Sequence, residues 1–207
     1  MDSIILKLLL VIIALLGYNS VYIKKLSDVN AAKGEKFDAA AYVDKLWNGA
    51  LQGKLDSAVD ISVLRKDLKA GDDKSFTTYT NALAIGNYRY ALVKGTAIVN
   101  EIREDDVAIV IQSDPAFKAT LATEFVYGNA LRDASGLIDL QAFPTTNDLI
   151  AVSEALNQMV RQKVVPAVKP LLKPGKKIEF TGAIELNKEH LHFDDIEIIP
   201  VRIKTIS

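Results

Sequence analysis

The chain has 207 residues, with 25 Lys and Arg against 26 Asp and Glu. That balance creates no long-range field for nucleic acid or anionic lipid. The absence of cysteine excludes disulfides, thiolate zinc sites and a thiol nucleophile. A hydrophobic share of 49% suffices for one real core, since a domain of this size hides roughly 70% of its unfolded surface.

Residues 3–23, "SIILKLLLVIIALLGYNSVYI", contain one charge, Lys7. A membrane-spanning helix needs about 20 such residues. Lys7 can snorkel to one interface, and Tyr18 and Tyr22 suit the other. Residues 1–26 therefore read as an uncleaved anchor. A cleaved signal peptide competes, but Asp2 weakens its basic start and "LLGYNS" lacks an A-x-A site. A buried core helix fits less well, because the run is apolar all round. Lys24 and Lys25 bias the body toward the cytoplasm by about one charge.

Residues 27–36 read as a polar linker. "FDAAAYVDKLWNG" predicts a helix capped by Asp38 and stopped by Gly49. "DISVLRKDLKAG" predicts a second, with Asp60 as cap and Gly71 beyond its end. "DDKSFTTYTNALAIG" predicts a third, ending at Gly86, although its threonines weaken it. Together they form a small helical subdomain over residues 37–86.

The period then changes. "NYRYALVKGTAIVNEI", "VAIVIQ" and "FKATLATEFVYG" predict an antiparallel three-stranded meander, with Gly95 marking a bulge or bend. A helix follows near residues 146–165. Thr145 and Asp148 form a capping box, and Pro166, Pro170 and Pro174 end or kink the helix. "KKIEFTGAIEL" and "DIEIIPVRIKTI" predict two closing strands. The fold class is thus α+β: the helical subdomain plus an OB-like antiparallel β-barrel over residues 87–207, preceded by the membrane helix. Three strands, a helix and two strands is the OB order, with the helix expected at one end of the barrel. An open α+β sheet is the alternative.

"FDAAAYVDKLW", "GNALRDASG", the segment from Phe143 to Asn147 with its later "ALN", and "GKKIEFTGAIEL…IEIIPV" resemble domain-of-unknown-function family 2291, predicted periplasmic lipoproteins. The resemblance covers about residues 37–203. It implies an exported, membrane-tethered protein with a helical segment and an OB-like barrel, associated with sugar-uptake transporters; the partner expected is a transporter component or a small polar ligand. It implies no established activity. The missing cysteine leaves no lipid-attachment residue, so the anchor would be residues 3–23. The family often has Asn-Gln where this chain has Asn147-Asp148, which leaves Asn147 as the matching position.

The candidate ligand- or partner-binding residues are Asn129, Arg132, Asp133, Asn147 and Trp47. Arg132 would clamp an anion or hydroxyl at the barrel mouth, with Asn129 and Asp133 as hydrogen-bond partners. The structural reading has Arg132 forked onto a carboxylate or backbone carbonyls, with Asp133 capping a turn. Trp47 lies on an apolar helix face and fits a core role; a stacking platform is the sharper alternative. His190 and His192 lie in "EHLHFDD", and no further histidine or cysteine exists to complete a zinc site. No metal or cofactor is expected. The chain lacks Walker A, G-x-S-x-G, H-E-x-x-H and dinucleotide motifs. The reading taken is a non-enzymatic, membrane-tethered binding or accessory module at the inner membrane, its body facing the periplasm. The alternatives are an OB-type oligosaccharide- or nucleic-acid-binding module and, last, a hydrolase with an unrecognised acid pair. Nucleic acid is not expected, because basic and aromatic residues are not interleaved on the strands.

Overall fold

Helix α1, Ala39–Asn48, begins where Asp38 accepts from the Ala41 N–H at 3.0 Å. The computed structural model describes residues 37–206 other than 72, 144 and 195; the linker and the anchor segment lie outside the described residues. Gly49 sits where a Cβ would lie 2.9 Å from the Lys45 carbonyl. The chain turns there into α2, Ala50–Asp56, which buries Leu51 and Leu55. After the two-residue strand β1, Val59–Asp60, the Asp60 carboxylate accepts from the Ser62 and Val63 N–H groups and starts α3, Ile61–Lys69. Helix α4, Asp73–Tyr79, stops well short of Gly86. Its threonines are poor helix formers, the Thr80 hydroxyl turns back onto the Phe76 carbonyl, and Asn81 leaves to pair through its backbone with Tyr90.

The meander forms as β2, Tyr88–Ile102, β3, Asp106–Ile111, and β4, Lys118–Ala122. The expected third strand is shorter than its apolar run, ending at Ala122 rather than near Gly128. Strands β5, Lys177–Asn187, and β6, Ile196–Ile206, pair with each other. β5 runs antiparallel along β2 from Tyr88↔Asn187 to Ile98↔Lys177, and β6 runs parallel to β4. The order β1-β2-β3-β4-β6-β5, with β5 returning to β2, closes a five-stranded barrel of OB connectivity and removes its edges. The open-sheet alternative falls with that closure. β1 pairs in parallel with β2 through Val59↔Val93.

The barrel interior holds Val93, Ala97, Ile109, Leu121, Ile178, Phe180 and Ile198 in one apolar cluster with Ile61, Leu64 and Leu68 of α3 and Phe76 of α4. The helix entering that interior is therefore α3, not the helix between the third and fourth barrel strands. Gly95 makes room for it: a Cβ there would lie 3.1 Å from the Phe180 ring and 3.3 Å from an Ile61 methyl. The β2 register shift falls between Val99 and Glu101, so Gly95 marks a close approach rather than the bulge. Residues Asp38–Ser207 make one compact unit.

A helical layer covers the outside of β2, β5 and β6. It contains α5, Ala130–Ala134, and α6, Thr146–Met159, which has the expected capping box. α5 packs on β2 and β5, and α6 packs on α1 and α5. The helix does not end at Pro166. It widens into a π turn over Val160–Val164 and continues as α7, Val165–Val168. Proline lacks the N–H for the i−4 carbonyl and clashes with it; a wider turn just before it relieves both problems. Among the described residues no helix is long and apolar enough to cross a membrane.

Candidate functional site

The apolar run after β4 ends at Gly128, whose φ is 79°, a value glycine adopts without steric cost. That turn delivers α5, all five residues of which are buried. Arg132 and Asp133 are therefore consecutive helical residues on the outer barrel wall, not groups at the barrel mouth. Arg132 Nε donates to Asp133 Oδ1 at 2.6 Å, with side-chain exposures of 9% and 4%. Arg132 Nη1 reaches the Leu149 carbonyl of α6 at 3.5 Å. A buried pair in this geometry satisfies itself; either charge alone would be costly to bury.

The surrounding contacts tie α5 down from both ends. Ser153 Oγ donates to Asn129 Oδ1 at 3.0 Å, and Asn157 Nδ2 donates to the Gly128 carbonyl at 3.0 Å. At the other end, Ser135 Oγ donates to the Arg132 carbonyl at 2.7 Å and accepts from the Leu137 N–H. Asn81 Nδ2 donates to the Ala134 carbonyl at 3.2 Å.

Tyr90 also faces this group. Its phenol is pushed up to about 12, first by burial, then by the Glu185 charge and a hydrogen bond to Glu185, and by the Asp133 charge; Arg132 opposes the shift. Tyr90 and Glu185 are register partners on β2 and β5. Burial raises the Glu197 carboxyl, with smaller contributions from Asp106 and Glu185. This carboxylate neighbourhood arises from strand register, so no spacing along the chain could reveal it.

The structure brings Asn129, Arg132 and Asp133 onto one short helix and its lead-in. Asn147 stands exposed in the first turn of α6, and no hydrogen bond joins it to them among the described residues. Trp47 is 9% exposed and buried on α1 with Val43. His190 and His192 are exposed in the loop before β6, and among the described residues no group of His, Asp and Glu could hold a metal ion.

One surface feature escaped the sequence reading. Phe125 and Tyr127 are 56% and 59% exposed, and their rings stack at 6.3 Å with 28° between planes. The Arg161 guanidinium lies 5.2 Å from the Tyr127 centroid, donates to the Val126 carbonyl and pairs with Glu154. Reading residues 123–128 as strand hid this patch. The aromatics alternating with Val126 were the available signal.

The closed barrel, its strand order and its helical layer define an OB-fold protein. A crystal structure of an OB-fold protein from Thermotoga maritima superposes with a TM-score of 0.73 at 21% identity, covering 83% of this chain and 100% of that one. The chain belongs to the family described as predicted periplasmic lipoprotein (DUF2291), whose model matches residues 11–204. That membership supports an envelope location, in the periplasm. No curated protein matches.

Proposed function

We propose that the protein is a non-enzymatic accessory module of the envelope. Residues 3–23 hold it to the inner membrane, its body lies in the periplasm, and its helical layer docks a partner protein. A component of a sugar-uptake transporter is the partner class that the family resemblance suggests. The observation carrying this reading is the stacked Phe125–Tyr127 pair beside Arg161. Aromatics and arginine dominate the energetics of protein interfaces, and here two stacked aromatic rings are left more than half exposed. The barrel wall left open by the helices speaks against nucleic acid. By strand alternation its outward residues include Ile98, Ala108, Val110, Lys118 and Thr120, one cation and no aromatic, whereas single strands are held by stacking platforms in basic grooves.

Site-specific photocrosslinking in the envelope tests the proposal. A crosslinker at Tyr127 should trap one discrete membrane protein, and one at Val63, an exposed position on α3, should not. Phe125→Ser with Arg161→Ala should abolish the adduct while leaving the melting transition in place. Equal labelling at both positions would remove the patch as the docking surface.

A further inference from the structure

The C-terminal end of α5 borders a second feature. A hollow of about 210 Å³ lies between α5, the end of α2 and the end of α4. Six of its lining residues carry polar side chains: Lys54, Ser57, Thr78, Tyr79, Asn81 and Ser135. No lining residue is acidic among those described. Three of the six are tied to the backbone: Ser57 Oγ to the Lys54 carbonyl, Asn81 Nδ2 to the Ala134 carbonyl and Ser135 Oγ to the Arg132 carbonyl. The remaining three, Lys54 Nζ, the Thr78 hydroxyl and the Tyr79 hydroxyl, have no side-chain partner among the described residues.

Charge at the rim points the same way. Lys94 Nζ donates to the Asp56 carbonyl at 2.9 Å, next to the lining Ser57, while the Asp56 carboxylate is taken by Arg202 at 2.7 Å. Among the described residues no carboxylate pairs with the ammonium group of Lys54 or of Lys94. One wall is shaped by a glycine turn. Gly136, at φ 60°, turns the chain away after α5, and a Cβ there would sit 3.2 Å from the Asn81 side chain.

We infer that this hollow is a binding site for a small hydroxylated carboxylate. Lys54 meets the carboxylate through a charge-assisted bond. The Tyr79 and Thr78 hydroxyls and the free Asn81 Oδ1 exchange hydrogen bonds with the ligand's hydroxyls. The volume, about 210 Å³, falls below the roughly 300 to 1,000 Å³ of drug-sized pockets and suits a single small molecule. The site opens at the opposite end of α5 from Tyr127, so the inference is independent of the docking surface proposed above.

Calorimetric titration of the full-length chain in detergent micelles tests this. The probes are glycerate, tartrate and gluconate, with sorbitol and inorganic phosphate as comparisons. At least one hydroxycarboxylate should bind saturably, one per chain. Lys54→Met should weaken it about tenfold or more, the loss expected for a charge-assisted bond. Tyr79→Phe should weaken it roughly threefold or more, as loss of a neutral hydrogen bond does. Both variants keep the packed part of the side chain, so their melting temperatures should match the parent. Saturable binding by none of the three acids at millimolar concentration would overturn the inference. So would sorbitol binding as tightly as the acids, or binding unchanged in Lys54→Met. Phosphate binding as tightly as the acids, with Tyr79→Phe without effect, would reduce the site to one for an adventitious ion only.

Discussion

Replacing Arg132 with alanine leaves the Asp133 carboxylate, 4% exposed, without its cation. Breaking a buried pair in this way costs about 3 to 5 kcal/mol, against a total stability of about 5 to 15 kcal/mol. Arg132→Lys should recover part of the loss, because lysine restores charge but not the planar fork. Denaturant melts measure both variants; an alanine variant as stable as the parent would show that Arg132 is not a strut for α5. Tyr90 gives a second residue-scale test, at high pH. Its folded value is raised from 10.0 to about 12, so the native state holds its proton longer than the unfolded chain. The stability this contributes is complete below pH 10 and declines as pH rises through about 12. Tyr90→Phe should flatten the fall in stability over that window and remove a phenolate transition near pH 12 from an absorbance titration. An unchanged alkaline transition would place the late proton elsewhere. What the sequence allowed at this scale was the juxtaposition of a guanidinium and a carboxylate in Arg132-Asp133. Whether they pair depends on backbone: on a strand they would point apart, and only the short helix after Gly128 lets Nε fold back onto its neighbour.

The caps were the most legible features of the elements, because their chemistry is local. Asp38, Asp60 and the Thr145–Asp148 box all bond as their spacing predicts. Thr145→Ala should cost about 0.5 to 2 kcal/mol in melts, the range for a lost N-cap; a cost near zero would mean that packing alone holds the start of α6. Strand existence was equally readable from period-2 alternation. Element ends were less so. The early stop of α4 depends on a backbone bridge from Asn81 to Tyr90, and the π turn before Pro166 keeps Val160 and Val164 buried. Neither requirement is written in a local window. Gly95 makes the same point from the opposite side. Composition predicted a bend, whereas the position is set by Ile61, far away in sequence. Gly95→Val should push Phe180 and Ile61 apart and cost about 1 to 3 kcal/mol, as overpacking does. A variant that melts like the parent would show that neither the Phe180 ring nor Ile61 crowds this position.

At the scale of the whole molecule, the barrel was readable because strand count and the position of the long helix fix the OB order. The outer location of that helix was not, since both faces of β2 and β5 are buried, one against the interior and one beneath α5. The anchor is a question of the same scale. Residues 3–23 lie outside the described part, while Asp38–Ser207 is a compact unit with its own apolar cluster. The full chain should therefore remain with membranes through salt and carbonate washing. A chain lacking residues 1–26 should be soluble and melt cooperatively. The charge pair Lys24–Lys25 favours a cytoplasmic body by about one charge, and the family description favours the periplasm. A bias of one charge is small beside the address that an exported family implies, so protease added to spheroplasts should digest the body. A body protected until the membrane is breached would reverse the orientation. Recovery of a mature chain lacking the first 20 residues would show that the apolar segment is cleaved as a signal and that the tether has another origin.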